Sequence, residues 1–214
     1  MPHVTTSKER TRGLLLIVGG LVLFGLCAAI ASSGRAPSAE RTVFEAINEL
    51  PPWLSVPASW IQLLGVLAVG VVVAVAALLA RRYRLAVAAL AVTALKLLAE
   101  RVVWNVVGIH RERPGVTEPN AILRAGVPAE GVSFVSGHVV LVTGLAWVVM
   151  PYLPRRWRPV PWVIDALVGW SRIYLGAHNP LDVLGGFGLG TAIGVGVDLV
   201  LGPRRAGARA GARG

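Results

Sequence analysis

The chain has 214 residues, of which 55% are hydrophobic and 15% are charged, and its formal net charge is +10. A soluble domain carries about a quarter charged residues, so this composition argues against an ordinary soluble domain. The single cysteine, Cys27, excludes an internal disulfide and a cysteine-rich metal cluster, and we expect it to be a small buried apolar residue.

The apolar residues cluster in six long blocks, and no alternating strand pattern competes with them. A membrane helix needs about 20 mainly apolar residues. The sequence therefore predicts an all-α integral membrane bundle of six transmembrane helices within residues 13–202. The blocks are 13–32, 57–80, 85–108, 137–153, 159–177 and 181–202, and the fourth is short enough that a further turn could belong to it.

Basic residues are concentrated in every second connection between the blocks. They lie in the N-terminal segment 1–12, at 81–84, at 155–158 and in the tail 203–214. Cytoplasmic loops of membrane proteins carry this excess of Lys and Arg, so both termini are predicted to be cytoplasmic. We expect the tail to be disordered and to contact anionic lipid. A nucleic-acid partner is not expected from this distribution.

The first block raises the alternative of a cleaved signal peptide, because it starts with basic residues and ends in AAIASSG. Its apolar run, from Gly13 to about Ala31, is longer than a usual signal core. Cleavage would also leave five helices and place the termini on opposite sides. We therefore expect this helix to be retained.

The connections predicted on the extracytoplasmic side of the membrane lack the concentration of basic residues. The first, 33–56, contains a segment with helical spacing of apolar residues, which predicts a short amphipathic helix over 39–50 at the membrane interface. Pro51 and Pro52 end it. Its apolar face carries Val43, Phe44, Ile47 and Leu50, and its glutamates, Glu40, Glu45 and Glu49, fall elsewhere.

Three polar clusters fall at this same face of the predicted bundle, although only the basic loops were used to orient it. Arg111 and Arg113 lie in the connection 109–136. Ser136, Gly137 and His138 open the fourth block. The stretch SRIYLGAHNPLD, residues 171–182, contributes Arg172, His178 and Asp182.

These residue types suit phosphate chemistry. Guanidinium groups such as those of Arg113 and Arg172 match phosphate oxygens. The N-terminus of a helix, here at Ser136 and Gly137, favours an anion. Two histidines are available for nucleophilic attack and proton transfer.

The last helix is expected to begin with Asn179 as its cap and Pro180 at its first position. Asp182 then lies in the first turn, within reach of His178. A carboxylate on one imidazole nitrogen leaves the other nitrogen free to react.

The spacing resembles the signatures of the type 2 phosphatidic acid phosphatase family over about residues 85–202. The third signature resembles a pattern in this chain: Ser171-Arg172, then five residues, His178, three residues and Asp182. Ser136-Gly137-His138 is similar to the second, with Val135 in place of the usual proline. Arg113-Pro114 resembles the end of the first.

The resemblance implies a role for each matching residue. His178 corresponds to the nucleophile that forms a phosphohistidine, Asp182 to its orienting carboxylate, and His138 to the acid that protonates the leaving oxygen. Arg113, Arg172 and the backbone at Ser136 and Gly137 correspond to the phosphate cradle. No metal and no other cofactor is implied.

One position departs from the family pattern. Its first signature has a lysine seven residues before the Arg-Pro arginine, and Val106 stands there. Arg101 on the same helix, or Arg111 or His110 in the loop, could supply the missing charge. Lys96 and Glu100 are spaced to pair with each other, and whether they are structural or functional stays open. The loss could also mean an altered substrate scope or a weakened enzyme.

The expected function is that of a lipid phosphatase of the plasma membrane with an extracytoplasmic site. The resemblance implies a lipid phosphate as substrate: a polyprenyl diphosphate, phosphatidic acid, phosphatidylglycerol phosphate or a polyprenyl-phosphate sugar phosphate. Recycling of a cell-wall lipid carrier is the leading expectation. Alternatives are a phosphotransferase of the same fold and a non-catalytic lipid-binding protein. A vanadium haloperoxidase shares the site but is usually soluble.

Two further features match no signature. The glycines of GGFGLGTAIGVG, residues 185–196, repeat at a spacing that favours close packing of helices. Asp165, inside the fifth block, is expected to make a polar contact between helices.

Overall fold

The computed structural model describes residues 7–33 and 37–202, and the regular secondary structure within these ranges is helical. Glu112 and Val132 form an isolated bridge in the loop before α7. The helices are α1 Ser7–Ala31, α2 Ser38–Asn48, α3 Ser55–Gln62, α4 Leu67–Leu79, α5 Tyr83–Val102, α6 Pro114–Thr117, α7 Gly137–Val149, α8 Val160–Tyr174 and α9 Pro180–Leu201.

The all-helical class is confirmed, but the six-span topology is a prediction that the helix lengths support only in part. Among the described residues, α1 and α9 are long and apolar enough to cross a membrane, and a third span results if the bent pair 52–65 and 67–79 is counted as one. Helices α7 and α8 have 13 and 15 residues, and α5 carries four charged side chains. The cytoplasmic placement of both termini stays a prediction, and the tail 203–214 lies outside the described residues.

The predicted helix over 57–80 is broken into two, which corrects the sequence interpretation. Val66 has an extended backbone (φ −78°, ψ 155°), and the two parts meet at 60°. The break places Gly65 against His138, where a Cβ on Gly65 would lie 2.7 Å from the Cβ of His138. Real Cβ atoms are excluded from such a distance, so a glycine is needed where this chain passes the first turn of α7.

The amphipathic helix is present as α2, but its buried face differs from the prediction. Phe44 is buried as expected, whereas Val43 is exposed and both Glu40 and Asn48 are buried. The Asn48 side chain accepts a hydrogen bond from the Ile122 backbone and donates one to the Tyr174 carbonyl, at 2.8 and 3.0 Å. Buried polar groups are tolerated when they are paired, so α2 packs onto the protein through polar contacts as well as through Phe44.

Helix α9 lies between α1 and α7, and its glycines make both contacts close. A Cβ on Gly188 would lie 2.6 Å from the carbonyl of Gly20 in α1, and a Cβ on Gly190 would lie 2.7 Å from the carbonyl of Val140 in α7. The close-packing interpretation of residues 185–196 is therefore confirmed. Asp165 also behaves as expected, because it accepts a hydrogen bond from the Thr143 hydroxyl at 2.9 Å.

Candidate active site

The start of α9 places His178 beside Asp182. Asn179 has an extended backbone at the cap position and Pro180 follows it, as the sequence predicts. The Asp182 Oδ2 atom accepts a hydrogen bond from the Asn179 backbone N–H at 2.8 Å and lies 3.8 Å from His178 Nδ1. The carboxylate therefore faces Nδ1 of the imidazole and leaves Nε2 available to another partner.

The surroundings of His178 keep its imidazole neutral near pH 7. Burial lowers its pKa from the ordinary value of 6.5, Asp182 opposes the shift, and the positive charges of Arg172 and Arg113 add to it. A neutral imidazole retains the lone pair that a nucleophile needs.

The end of α8 supplies Arg172 to the same turn. The Arg172 carbonyl accepts hydrogen bonds from the backbone N–H groups of Ala177 and His178, at 3.0 and 3.2 Å. The buried Arg172 side chain donates to Gln62 at the end of α3, and its Nε has no hydrogen-bond partner among the described residues. An unpaired buried donor of a cation is costly, so this guanidinium is suited to take an anionic ligand.

The start of α7 is fastened to the start of α9. The Ser136 backbone N–H donates to the Asp182 carbonyl at 3.1 Å, and Ser136 Oγ is buried with no partner within the described ranges. His138, in the first turn of α7, is within electrostatic range of His178, Arg172 and Arg113. The N-terminus of α7 and the His178 turn therefore lie next to each other.

The two arginines of the loop before α7 occupy different positions. Arg113 Nη1 reaches the Ala177 carbonyl at 3.5 Å, next to His178. Arg111 is 1% exposed and donates to both oxygens of Glu40, at 2.9 and 2.6 Å, and to Asp182 Oδ1 at 3.3 Å. Arg113 therefore reaches the histidine turn, whereas Arg111 is bound to two carboxylates.

Lys96 and Glu100 also reach this site. Lys96 Nζ lies 2.8 Å from Glu100 Oε2, and both side chains are nearly buried. A Cβ on Gly137 would lie 2.9 Å from Lys96 Cε and would collide with Glu100 Oε1. Lys96 is within electrostatic range of His138 as well. The pair therefore lies against the first turn of α7.

The position of the missing family lysine and the nearby arginine of α5 are both exposed. Val106, in a π-helical turn at Val103–Val107, is 77% exposed, and Arg101 is exposed on α5. The sequence spacing between Val106 and Arg113 carries no signal for this π-helical turn. The signal that identifies Lys96 is its charge within a predicted membrane segment, one turn before Glu100. Glu40 had no such signal, because its partner Arg111 lies 71 residues away.

Comparisons with known proteins show which family and fold this chain shares. Residues 83–204 match the sequence model of the PAP2 superfamily. The undecaprenyl-diphosphatase of Sulfolobus acidocaldarius is 40% identical over 62 residues, which are 28% of this chain and 30% of that enzyme. The match therefore spans less than a third of that relative's length.

Two crystal structures share the fold. Aquifex aeolicus LpxE superimposes with a TM-score of 0.62 at 23% identity, over 73% of this chain and 92% of that one. The transmembrane PAP2-type phosphatidylglycerolphosphate phosphatase of Bacillus subtilis gives a TM-score of 0.65 at 24% identity, over 84% and 94%. With a superfamily match over more than half of its length, this chain belongs to the PAP2 superfamily, the type 2 phosphatidic acid phosphatase family.

Proposed function

We propose that this protein is an integral membrane lipid phosphatase that acts through a phosphohistidine at His178. The observation that carries the proposal is the setting of His178. Asp182 faces its Nδ1 atom, the positive charges of Arg172 and Arg113 lie close by, and His138 lies at the adjacent start of α7. This is the arrangement that nucleophilic attack on a bound phosphate requires.

In the first half of the reaction, His178 Nε2 attacks the phosphorus and the bond from phosphorus to the lipid oxygen breaks. His138 gives its proton to that oxygen. The negative charge of the bound phosphate favours this proton, which burial and the cations Arg172, Lys96 and Arg113 oppose in the free site. Asp182 stabilises the positive imidazole that forms on His178. In the second half, neutral His138 takes a proton from water, the water oxygen attacks phosphorus, and the P–N bond breaks. Inorganic phosphate leaves, and His138 is again protonated.

The phosphate cradle consists of Arg113, Arg172 and the backbone N–H of Gly137, with Lys96 as the third cation. The backbone N–H of Ser136, which the sequence also predicted for the cradle, donates instead to the Asp182 carbonyl. We assign the third cation to Lys96 in preference to Arg101, because Lys96 lies against Gly137 whereas Arg101 is exposed. Arg111 is less suited to bind phosphate, because its donors are bound to Glu40 and Asp182. The pairing of Lys96 with Glu100 would have to loosen when phosphate binds.

The substrate is proposed to be a polyprenyl diphosphate, whose phosphates lie at headgroup depth. The name of the Sulfolobus relative supports this choice, and that of the Bacillus neighbour supports phosphatidylglycerol phosphate as the second candidate. Phosphatidic acid and a polyprenyl-phosphate sugar phosphate complete the set to be tested.

The purified full chain, assayed with these lipids, tests the proposal. We expect phosphate release with at least one of them, persistence of activity in EDTA, inhibition by vanadate and loss of turnover in His178→Ala. Acceptor products measured in the same reactions separate a transferase from a hydrolase. Loss of activity in EDTA with recovery in magnesium would contradict the mechanism, and a folded protein that is inactive on every lipid would favour a binding role.

A further inference from the structure

Glu40 is a buried carboxylate outside the residues of the proposed reaction. It lies on α2 and is 6% exposed, although the sequence pattern placed it with the polar residues of that helix. Its Oε1 accepts hydrogen bonds from Arg111 Nη1 and from the Leu181 backbone N–H, each at 2.9 Å, and its Oε2 accepts one from Arg111 Nη2 at 2.6 Å. These bonds connect α2 to the loop and to the first turn of α9.

Arg111 connects Glu40 to the site. Its Nη1 atom also lies 3.3 Å from Asp182 Oδ1, and the other oxygen of Asp182 faces His178 Nδ1 at 3.8 Å. The Arg111 and Asp182 side chains are both fully buried. Charges of alternating sign therefore run from α2 to the nucleophile, and each of them is shielded from water.

Burial has the largest effect on how strongly His178 can hold a positive charge, and the charges in this row modify it. Glu40, Arg111 and Asp182 together carry a net charge of −1, but Arg111 and Asp182 alone would carry zero. The other charged or titratable groups that act on His178 are Arg172, Arg113 and His138, and the first two disfavour an imidazolium. Without Glu40, the buried Arg111 would offset Asp182, and His178 would face an excess of positive charge.

We propose that Glu40 is a positioning residue for the phosphoryl transfer, which acts through Arg111 to hold the Asp182 carboxylate and to preserve its negative charge toward His178. The bidentate pairing fixes the plane of the Arg111 guanidinium. The bond to Leu181 holds Glu40 on the same turn as Asp182. The proposal rests on the function proposed for His178, but its geometric part is measurable without turnover.

The main test is the titration of His178 by NMR in the full-length protein with labelled histidines, the signal being assigned with His178→Gln. In Glu40→Gln, a negative charge is removed from the surroundings of His178. Its protonated form is then less favoured, so its pKa falls and the titration moves to lower pH. The opposite change, Arg111→Met, leaves Glu40 and Asp182 without a cation between them, so the titration moves to higher pH.

The kinetic test measures kcat/KM as a function of pH. Its substrate is the lipid of the panel that the protein hydrolyses. The acid limb of this profile reports the free enzyme's essential base. We expect it to move to lower pH in Glu40→Gln. At the plateau we expect a loss of roughly 10- to 100-fold, by analogy with the loss when a partner that orients a metal-bound histidine is removed.

Two controls, one in α2 and one at the residue that follows it, separate positioning from mere folding. Glu49→Gln removes an exposed carboxylate and should change neither readout. Asn48→Ala removes buried hydrogen bonds that hold α2 to Ile122 and Tyr174, so it should lower thermal stability without moving the His178 titration. An unchanged titration in both Glu40→Gln and Arg111→Met, or an equal shift in Asn48→Ala, would overturn the proposal. An inactive protein with the expected titration shifts would instead refute the proposed function alone.

Discussion

At the scale of single residues, the two histidines have different surroundings. His178 lies in a turn with its Nδ1 toward Asp182, whereas His138 lies on the first turn of α7 with Gly65 against its ring. His178 therefore has one nitrogen toward a carboxylate, and His138 is placed at a helix start. The roles proposed for them differ in how they depend on the leaving group.

Replacement of His138 tests its role as the acid. His138→Ala should slow the departure of the lipid oxygen, with a loss of about 10² to 10⁴ in rate, because general acid help typically contributes this much. The loss should be largest for monoesters with poor leaving groups and smallest for diphosphates. Rates across such a substrate series measure it, and an equal loss for every leaving group would contradict the assignment.

Replacement of Lys96 tests the third cation. Lys96→Met should lower kcat by roughly 10²-fold, the loss expected when one preorganised group that stabilises transition-state charge is removed. Arg101→Ala is the matched control on the same helix and should have little effect. Adding Val106→Lys to Lys96→Met should not restore activity, because position 106 is exposed. If Arg101→Ala were inactive and Val106→Lys restored activity, Arg101 would be the third cation instead of Lys96.

At the scale of elements, the contact between α1 and α9 depends on glycine. Gly20→Val should destabilise the protein by about 1–3 kcal/mol, the usual cost of overpacking, because a Cβ there would lie 2.5 Å from the Gly188 carbonyl. Gly19→Val is the control, since a Cβ at Gly19 has open space around it. Thermal unfolding in detergent measures both, and equal stabilities would contradict the close approach.

Elements whose start or end is set by neighbouring residues were predicted from the sequence. Features that depend on contacts between distant residues were not. The Asn179 cap, Pro180 and Asp182 lie within four residues and define the start of α9 by themselves. The inward turn of Glu40 depends on Arg111, which lies 71 residues further along the chain. The break between α3 and α4 depends on the packing of Gly65 against His138. No local sequence pattern contains these partners.

At the scale of the whole molecule, the sequence predicted that three polar clusters meet at one end of the bundle, and the structure brings Arg113, Arg172, His138, His178 and Asp182 together there. The side of the membrane that this end faces follows only from the basic loops. That part of the account stays a prediction and can be measured directly.

Cysteine labelling tests the orientation. In a Cys27→Ser background, Asn120→Cys in the exposed loop before α7 should react with an impermeant thiol reagent in intact cells, and Arg156→Cys between α7 and α8 should not. Both positions are exposed in the protein, so access to the reagent depends on the side of the membrane. The opposite labelling pattern would place the site in the cytoplasm.

The covalent intermediate is the central claim, and trapping it is the most direct test. The unaltered chain is mixed with the lipid that it hydrolyses, which carries a radioactive terminal phosphate. The reaction is quenched in alkali within one turnover. We predict label on the protein that is stable to alkali and labile to acid, as a phosphohistidine is, located at His178 and absent in His178→Ala. Turnover in the unaltered chain with no labelled protein at any quench time, or label that persists in folded His178→Ala, would contradict the account.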